Sequence, residues 1–277
     1  MADPISITRA GHRTFFKWHR ARKCVGDPAF TLSRILEGMR LGASIEVDLV
    51  IHADRGFAVL HDLRLGREST GEGPVLSKTA AQLRTQKLRD NDGVPTNEPV
   101  LLLDDLAALL LNGRVHPDAL LQLDYKEDAA ALDPRALDTF ANSVASVAGN
   151  MILSSGDAEA VQLLTTAAPG LRIGYDPCHG DALARLAQSR DFTGFVTDAV
   201  AASPAEMIYL AHQLVLQAED AGFDLVAAFH ARDRRVDAYT IQQADRDSLG
   251  RVERLLALKV DQITTDDPQG LAAALDR

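Results

Sequence analysis

Ser44-Ile45-Glu46-Val47-Asp48-Leu49-Val50 is an apolar run broken by two acids two residues apart. In a strand, successive side chains alternate between faces, so Glu46 and Asp48 point to the same side while Ile45, Val47 and Leu49 point to the other. The run is either an edge strand with an acidic solvent face or an interior strand whose paired carboxylates need a cation. An oxygen-only pair of this kind suits a hard divalent ion such as Mg²⁺ or Ca²⁺ better than zinc.

Similar short runs recur along the chain and alternate with helical patterns, the signature of βα units around a parallel sheet. The runs are Thr14–Trp18, Ser44–Val50, Phe57–Leu60, Leu120–Asp124, Met151–Ser154, Leu171–Tyr175, Gly194–Thr197, Val236–Ile241 and Gln262–Thr264. These are nine candidates, one too many for the eight positions of a (β/α)8 barrel, so one is accessory or irregular. Ser203-Pro204-Ala205-Glu206 carries a capping Ser, a Pro at the first helical position and a Glu three residues after the cap, which predicts a helix from 204 to 221, ending before Gly222. Residues 63–118 break the rhythm with a Gly-rich stretch, a polar segment and the apolar run Val100–Leu111. They are expected to form an insertion on a βα loop of a single barrel domain spanning 1–277, bordering the site.

With 277 residues, 46% hydrophobic and 25% charged, the chain has enough apolar material for one large core. A formal net charge of -10 argues against a nucleic-acid partner, whose phosphates demand clustered Lys and Arg. A small anionic substrate held by a local basic cluster remains compatible with it. Met1-Ala2-Asp3-Pro4-Ile5-Ser6 lacks the basic-then-apolar layout of a secretion signal, and no apolar stretch approaches the ~20 residues of a membrane span, so a cytoplasmic protein is expected. Cys24 and Cys178 are expected to be free thiols.

Leu120-Leu121-Gln122-Leu123-Asp124-Tyr125-Lys126 repeats the alternation, with Asp124 and Lys126 on one side, either as an ion pair at a sheet end or as part of a site. Phe57-Ala58-Val59-Leu60-His61-Asp62 stops at His61, where a strand end would deliver an imidazole to the barrel top. Asp62 is expected to point the other way and to anchor the next loop. Lys17-Trp18-His19-Arg20 ends another apolar run with a His and an Arg able to grip a phosphate through two parallel bonds. The bland reading of that segment is a basic surface turn, since Lys17, Arg22 and Lys23 lie alongside.

Taken in order, these stretches resemble the glycerophosphodiester phosphodiesterase family. The likeness rests on His19-Arg20, on Gly42 to Asp48, on His61-Asp62, and on Leu65, Arg67, Thr70, Gly71, Gly73 and Thr79. Asp124-Tyr125-Lys126 is similar to the family's Glu-x-Lys strand, Tyr239-Thr240-Ile241-Gln242 to its Trp-Thr-Val-Asn strand, and Thr265-Asp266-Asp267-Pro268 to its Thr-Asp-Arg-Pro ending. The resemblance implies a (β/α)8 barrel hydrolysing a small phosphodiester, with one divalent metal, Mg²⁺ or Ca²⁺ or else Mn²⁺, on Glu46, Asp48 and Asp124. It further implies acid/base roles for His19 and His61 and phosphate contacts for Arg20 and Lys126; the resemblance does not order the two histidines, and His19 is expected as the base and His61 as the acid. His12-Arg13 sits seven residues too early to be the family's pair.

The chain departs from the pattern at several points. Ala21 replaces the usual Gly after His-Arg, Asp27-Pro28-Ala29-Phe30-Thr31 replaces Pro-Glu-Asn-Thr, and Asp124 is a methylene shorter than Glu. Ser154-Ser155-Gly156 lacks the usual aromatic and Tyr239 replaces Trp, which places Ser155 and Tyr239 in the expected alcohol pocket. Two other outcomes are compatible with such a site: release of a cyclic phosphate by a substrate hydroxyl, or a barrel that binds a phosphorylated ligand without turnover.

Overall fold

A computed structural model describes residues 4–276, so Met1–Asp3, the start of the segment without a secretion-signal layout, and Arg277 lie outside the described residues. In chain order the strands are β1 (Ser6–Arg9), β2 (His12–Trp18), β3 (Ser44–Ile51), β4 (Phe57–Val59), β5 (Lys87–Arg89), β6 (Pro95–Pro99), β7 (Leu120–Tyr125), β8 (Met151–Ser154), β9 (Arg172–Tyr175), β10 (Met207–Ala211), β11 (Arg235–Ile241) and β12 (Gln262–Thr265). Eight of them, β2, β3 and β7 to β12, pair in parallel in that order, and β12 returns to β2, closing a barrel. β1 adds an antiparallel strand to β2, β4 runs back antiparallel along β3, and β5 and β6 form a separate hairpin.

Alternation sorts the side chains as the sequence predicts. Ile45, Val47, Leu49, Leu121, Leu123 and Leu153 face outward and pack with Ile35, Met39, Leu106, Phe140 and Leu164 of the surrounding helices. A second apolar cluster, with Ile208, Leu210, Val236, Ala238 and Ile263, does the same on the other side of the barrel. Inside, Leu120, Ile152, Met207 and Tyr209 form a small apolar cluster of their own. Asp133, Asp157, Asp191, Asp224, Asp245 and Asp267 each cap a helix by accepting from a backbone amide. Part of the acid excess is therefore tied to helix starts, where the macrodipole favours it.

Two expected elements are displaced. Gly194–Thr197 lies within a helix, Phe192–Ala202, which Asp191 caps. The missing barrel strand is β10, in the stretch predicted as helix; the helix begins only at His212 and ends at Asp220. The capping signal fails because Glu206 does not reach back to Ser203. Its Oε1 instead accepts from Arg172 Nε at 2.5 Å and Arg235 Nη2 at 2.8 Å, on the strands flanking β10. All five residues of β10 are buried, and burial on both faces erases the alternation that would mark a strand. Phe57–Leu60 is the accessory run. Cys24 and Cys178 are free, and no helix among the described residues is long and apolar enough to cross a membrane.

Gly174 in β9 allows Tyr209 of β10 to lie across the barrel interior, since an added Cβ would meet Tyr209 Cε2 at 2.5 Å. Gly174→Val is expected to lower stability by about 1–3 kcal/mol through overpacking. Chemical denaturation measures this, and an unchanged midpoint would show that the ring is free to move.

Candidate active site

The cleft opens at the C-terminal ends of the parallel strands, where barrel enzymes carry their chemistry. A cavity of about 180 Å³ is lined by residues that include His19, Arg20, Glu46, His61, Asp124, Lys126 and Tyr239. A larger hollow, about 290 Å³, lies between the helices Ala182–Ser189 and Phe192–Ala202. Its Asp191 is a helix cap and its Arg185 pairs with Asp181 on the surface, so it holds no comparable convergence of acids and imidazoles.

Register brings the acids together: Glu46 stands opposite Gln122 and Asp48 opposite Asp124 across β3 and β7. Each of Glu46, Asp48 and Asp124 offers an oxygen within 4.8 Å of the others, and Glu46 and Asp48 are 4% and 0% exposed. Asp48 Oδ1 lies 2.7 Å from Lys126 Nζ and Oδ2 lies 3.4 Å from Arg20 Nε, yet neither oxygen has an aligned hydrogen-bond partner. Burial, and then the charge of Glu46, push the Asp48 carboxyl above its ordinary value. Buried carboxylate oxygens without hydrogen bonds are what a hard cation would satisfy, so the residues present fit a divalent metal. His61, Asp62 and Glu68 also offer close ligand atoms. There, however, Glu68 Oε2 accepts from the backbone amides of His61 at 2.9 Å and Asp62 at 3.0 Å, and Arg67 occupies Asp62.

The two bases sit on the acids. Lys126 Nζ donates to Asp124 Oδ2. Burial alone would lower the lysine, but Asp124, Asp48 and Glu46 raise it well above its ordinary value, so it stays charged. The Arg20 backbone N–H donates to Glu46 Oε2 at 2.7 Å, and its guanidinium lies 3.6 Å from Glu68 Oε1. Arg20 and Ala21 take φ of 52° and 60°, left-handed values that favour glycine; at the second position a side chain replaces the glycine of similar sequences.

Each imidazole rests on an aspartate. His19 Nδ1 lies 2.8 Å from Asp266 Oδ1, just past β12, and His61 Nδ1 lies 2.9 Å from Asp62 Oδ1. A carboxylate accepts only, so each Nδ1 carries the proton and each Nε2 is left as the working nitrogen. Burial would raise Asp266, but the His19 hydrogen bond and the charges of His19 and Arg22 hold it below the usual range. His61 reaches the cleft from β4, which is not a barrel strand: Val59 pairs with Leu49, so the chain returns alongside the acids. Asp62 does not point away, as strand alternation predicts, because β4 ends at Val59 and the chain turns.

Tyr239 donates its hydroxyl to Asp176 Oδ2 at 2.9 Å and lines the cleft, while Ser155 lines an adjoining hollow that shares Asp124, Lys126 and Asp176 with it. Burial pushes Asp176 up to about 6. Lys17, placed by the bland reading on a surface turn, is 2% exposed inside the barrel and pairs with Asp237 at 3.2 Å. The strand simply extends past it, and period two puts it beneath His19. Lys17, Gln122, Asp176, Asp237, Thr264 and Asp266 are among the residues that no sequence signal assigns to the site.

Closed parallel barrel, buried acids and two aspartate-backed imidazoles define a hydrolase-type site. A model of the glycerophosphoryl diester phosphodiesterase family matches residues 28–270. The chain belongs to that family and is a phosphoric diester hydrolase. Among solved structures, it is similar to the glycerophosphodiester phosphodiesterase of Agrobacterium tumefaciens, with 20% identity, coverage of 94% of this chain and 99% of that one, and a TM-score of 0.65. The corresponding enzyme of Thermotoga maritima gives 19%, 93%, 96% and 0.64. A phosphodiesterase of Oleispira antarctica, in complex with the product sn-glycerol-3-phosphate, gives 17%, 95%, 96% and 0.65. At these identities the likeness establishes the fold. No curated protein matches the chain.

The Asp62 carboxyl is depressed to about 2, first by the Arg67 hydrogen bond and also by His61. A depressed folded value means the pair stabilises the protein above about pH 4, the unfolded carboxylate value, and loses that contribution as pH falls toward 2. Asp62→Asn should therefore flatten the fall in denaturation midpoint between those pH values. A slope equal to that of the parent protein would show that the pair is not formed in solution.

Proposed function

We propose that Glu46, Asp48 and Asp124 hold one divalent ion, Mg²⁺ or Ca²⁺ with Mn²⁺ as a substitute, for hydrolysis of a glycerophosphodiester to an alcohol and a phosphomonoester. The supporting observation is Asp48, wholly buried beside two more carboxylates, its oxygens met by the charges of Lys126 and Arg20 without an aligned hydrogen bond. A bound divalent ion would polarise a phosphoryl oxygen as a Lewis acid. Three carboxylates against Arg20 and Lys126 leave one net negative charge, which a divalent cation turns positive, matching a phosphodiester monoanion.

Arg20 and Lys126 then take the non-bridging oxygens, neutralising charge that gathers on phosphorus. His19, with Asp266 holding Nδ1, presents Nε2 as the base that removes a proton from the attacking water. His61, held by Asp62, gives its Nε2 proton to the departing alkoxide. Tyr239 and Ser155 border the alcohol side, and residues 63–118, read as an insertion within one barrel domain, border the site through Glu68, which accepts from the His61 backbone amide and lies near Arg20. With both thiols free, we place the enzyme in the cytoplasm, acting on a small soluble diester.

Turnover of glycerophosphodiesters with Mg²⁺, Mn²⁺ and Ca²⁺, followed by phosphorus NMR, tests this: a phosphomonoester is expected, and a cyclic phosphate would replace hydrolysis by internal transfer. No turnover with any cation would leave a ligand-binding barrel. Asp124→Asn is expected to abolish metal-dependent activity, and turnover equal to the parent's would remove Asp124 from the site. His61→Ala is expected to cut kcat by about 10²–10⁴-fold with metal binding intact. Metal loss in that variant would make His61 a ligand.

A further inference from the structure

We infer that a buried polar chain beneath the cleft, running by an ion pair from Asp237 to Lys17 and by hydrogen bonds on through Gln122 to Ser154, positions the Asp124 carboxylate; Gln122 and Ser154 are its working links. The inference rests on the reading of Asp124 as a metal ligand. Lys17 Nζ is 3.2 Å from Asp237 Oδ2 and donates to Gln122 Oε1. Gln122 Nε2 donates to Ser154 Oγ at 2.8 Å, and Ser154 Oγ donates to Asp124 Oδ1 at 2.5 Å. Thr264 Oγ1 donates to the other oxygen of Asp237 at 2.6 Å, and the Tyr209 ring lies 4.1 Å from Lys17 Nζ.

The direction of every proton in this chain is determined by its ends. An ammonium can only donate, so it turns the Gln122 carbonyl toward itself and the amide NH₂ toward Ser154. Ser154 Oγ, already accepting, must aim its single proton at Asp124, and an ionised carboxylate can only accept. Exchanging the amide's two ends would set donor against donor at Lys17. The chain therefore locks the orientation of Asp124 without touching the substrate, as outer partners do for metal-binding side chains.

Asp124 needs this support more than its neighbours. It is about 20% exposed, whereas Glu46 and Asp48 are buried, and Lys126 pulls on its other oxygen. With Ser154 on Oδ1 and Lys126 on Oδ2, the carboxylate is held from two sides, and the ammonium is the partner that must be displaced or shared when a cation arrives.

Calorimetric titration of the substrate-free protein with Mg²⁺ and Mn²⁺ tests the chain in Ser154→Ala, Gln122→Met and Asp124→Asn. Ser154→Ala is expected to weaken cation binding by about 10–100-fold, with kcat recovering toward the parent value at saturating cation. Gln122→Met should shift it in the same direction by less. Circular dichroism and thermal denaturation check folding, and two variants are used so that misfolding of one leaves the other to decide. Affinity within twofold of the parent in the folded variants, with Asp124→Asn losing it, overturns the positioning role alone. Unchanged affinity in Asp124→Asn overturns the ligand reading and this inference with it.

Discussion

The Asp48 carboxylate is removed from water altogether, and the charges around it answer that burial. Leaving an ion unpaired in a protein interior costs several kcal/mol, on the order of what a whole domain has to spare. Glu46 cannot help, since period two on β3 puts a second negative charge on the same side. The compensation comes from other strands: Lys126 just beyond β7 and Arg20 just beyond β2 both approach Asp48. Barrel closure makes this arrangement available, because three neighbouring strands deliver their C-terminal ends to one spot. A cleft that keeps acids and bases this close is electrostatically taut, since each charge is held by neighbours of the opposite sign.

Beneath the acids the barrel interior is layered. Leu120, Ile152 and Met207 fill the lower part. Above them lie Lys17, Gln122 and Asp237, joined by the Lys17–Asp237 ion pair and by hydrogen bonds that reach Thr264 and Ser154. The working groups form the top. Each layer is one step of strand alternation above the last, so the polar middle layer insulates the apolar plug from the charges and transmits rigidity to them.

Strand alternation also explains what was legible in the sequence. Glu46 and Asp48, or Asp124 and Lys126, stand out because a charge at every second position of an apolar run has few bland explanations. The same rule applied one step earlier pairs Lys17 with His19, Gln122 with Asp124, Asp237 with Tyr239 and Thr264 with Asp266, which is the middle layer. Those residues carry no sequence signal of their own, because a buried lysine is rare and a lone glutamine has no motif. β10 was hidden for a different reason: Met207–Ala211 is apolar throughout, and a convincing capping pattern precedes it. There the tertiary demand on Glu206, two arginines on flanking strands, outweighs the local helix signal. His61 lines the cleft although its strand lies outside the barrel, because the end of the hydrophobic run, and not the topology, marks where the chain turns.

The His19–Asp266 hydrogen bond joins residues 247 positions apart. Both lie at the seam where β12 meets β2, so the imidazole acquires its partner only when the last barrel strand docks against the first. A ribosome adding about 5–20 residues per second releases β2 many seconds before β12. Through that interval the edge of β2 that will receive β12 waits for its partner, and the seam is a long-range contact of the kind that slows folding. The strand that closes the barrel thus completes both the hydrogen-bonded ring and the imidazole's support, so chains shortened before Asp266 would carry the acids on β3 and β7 without a seated His19.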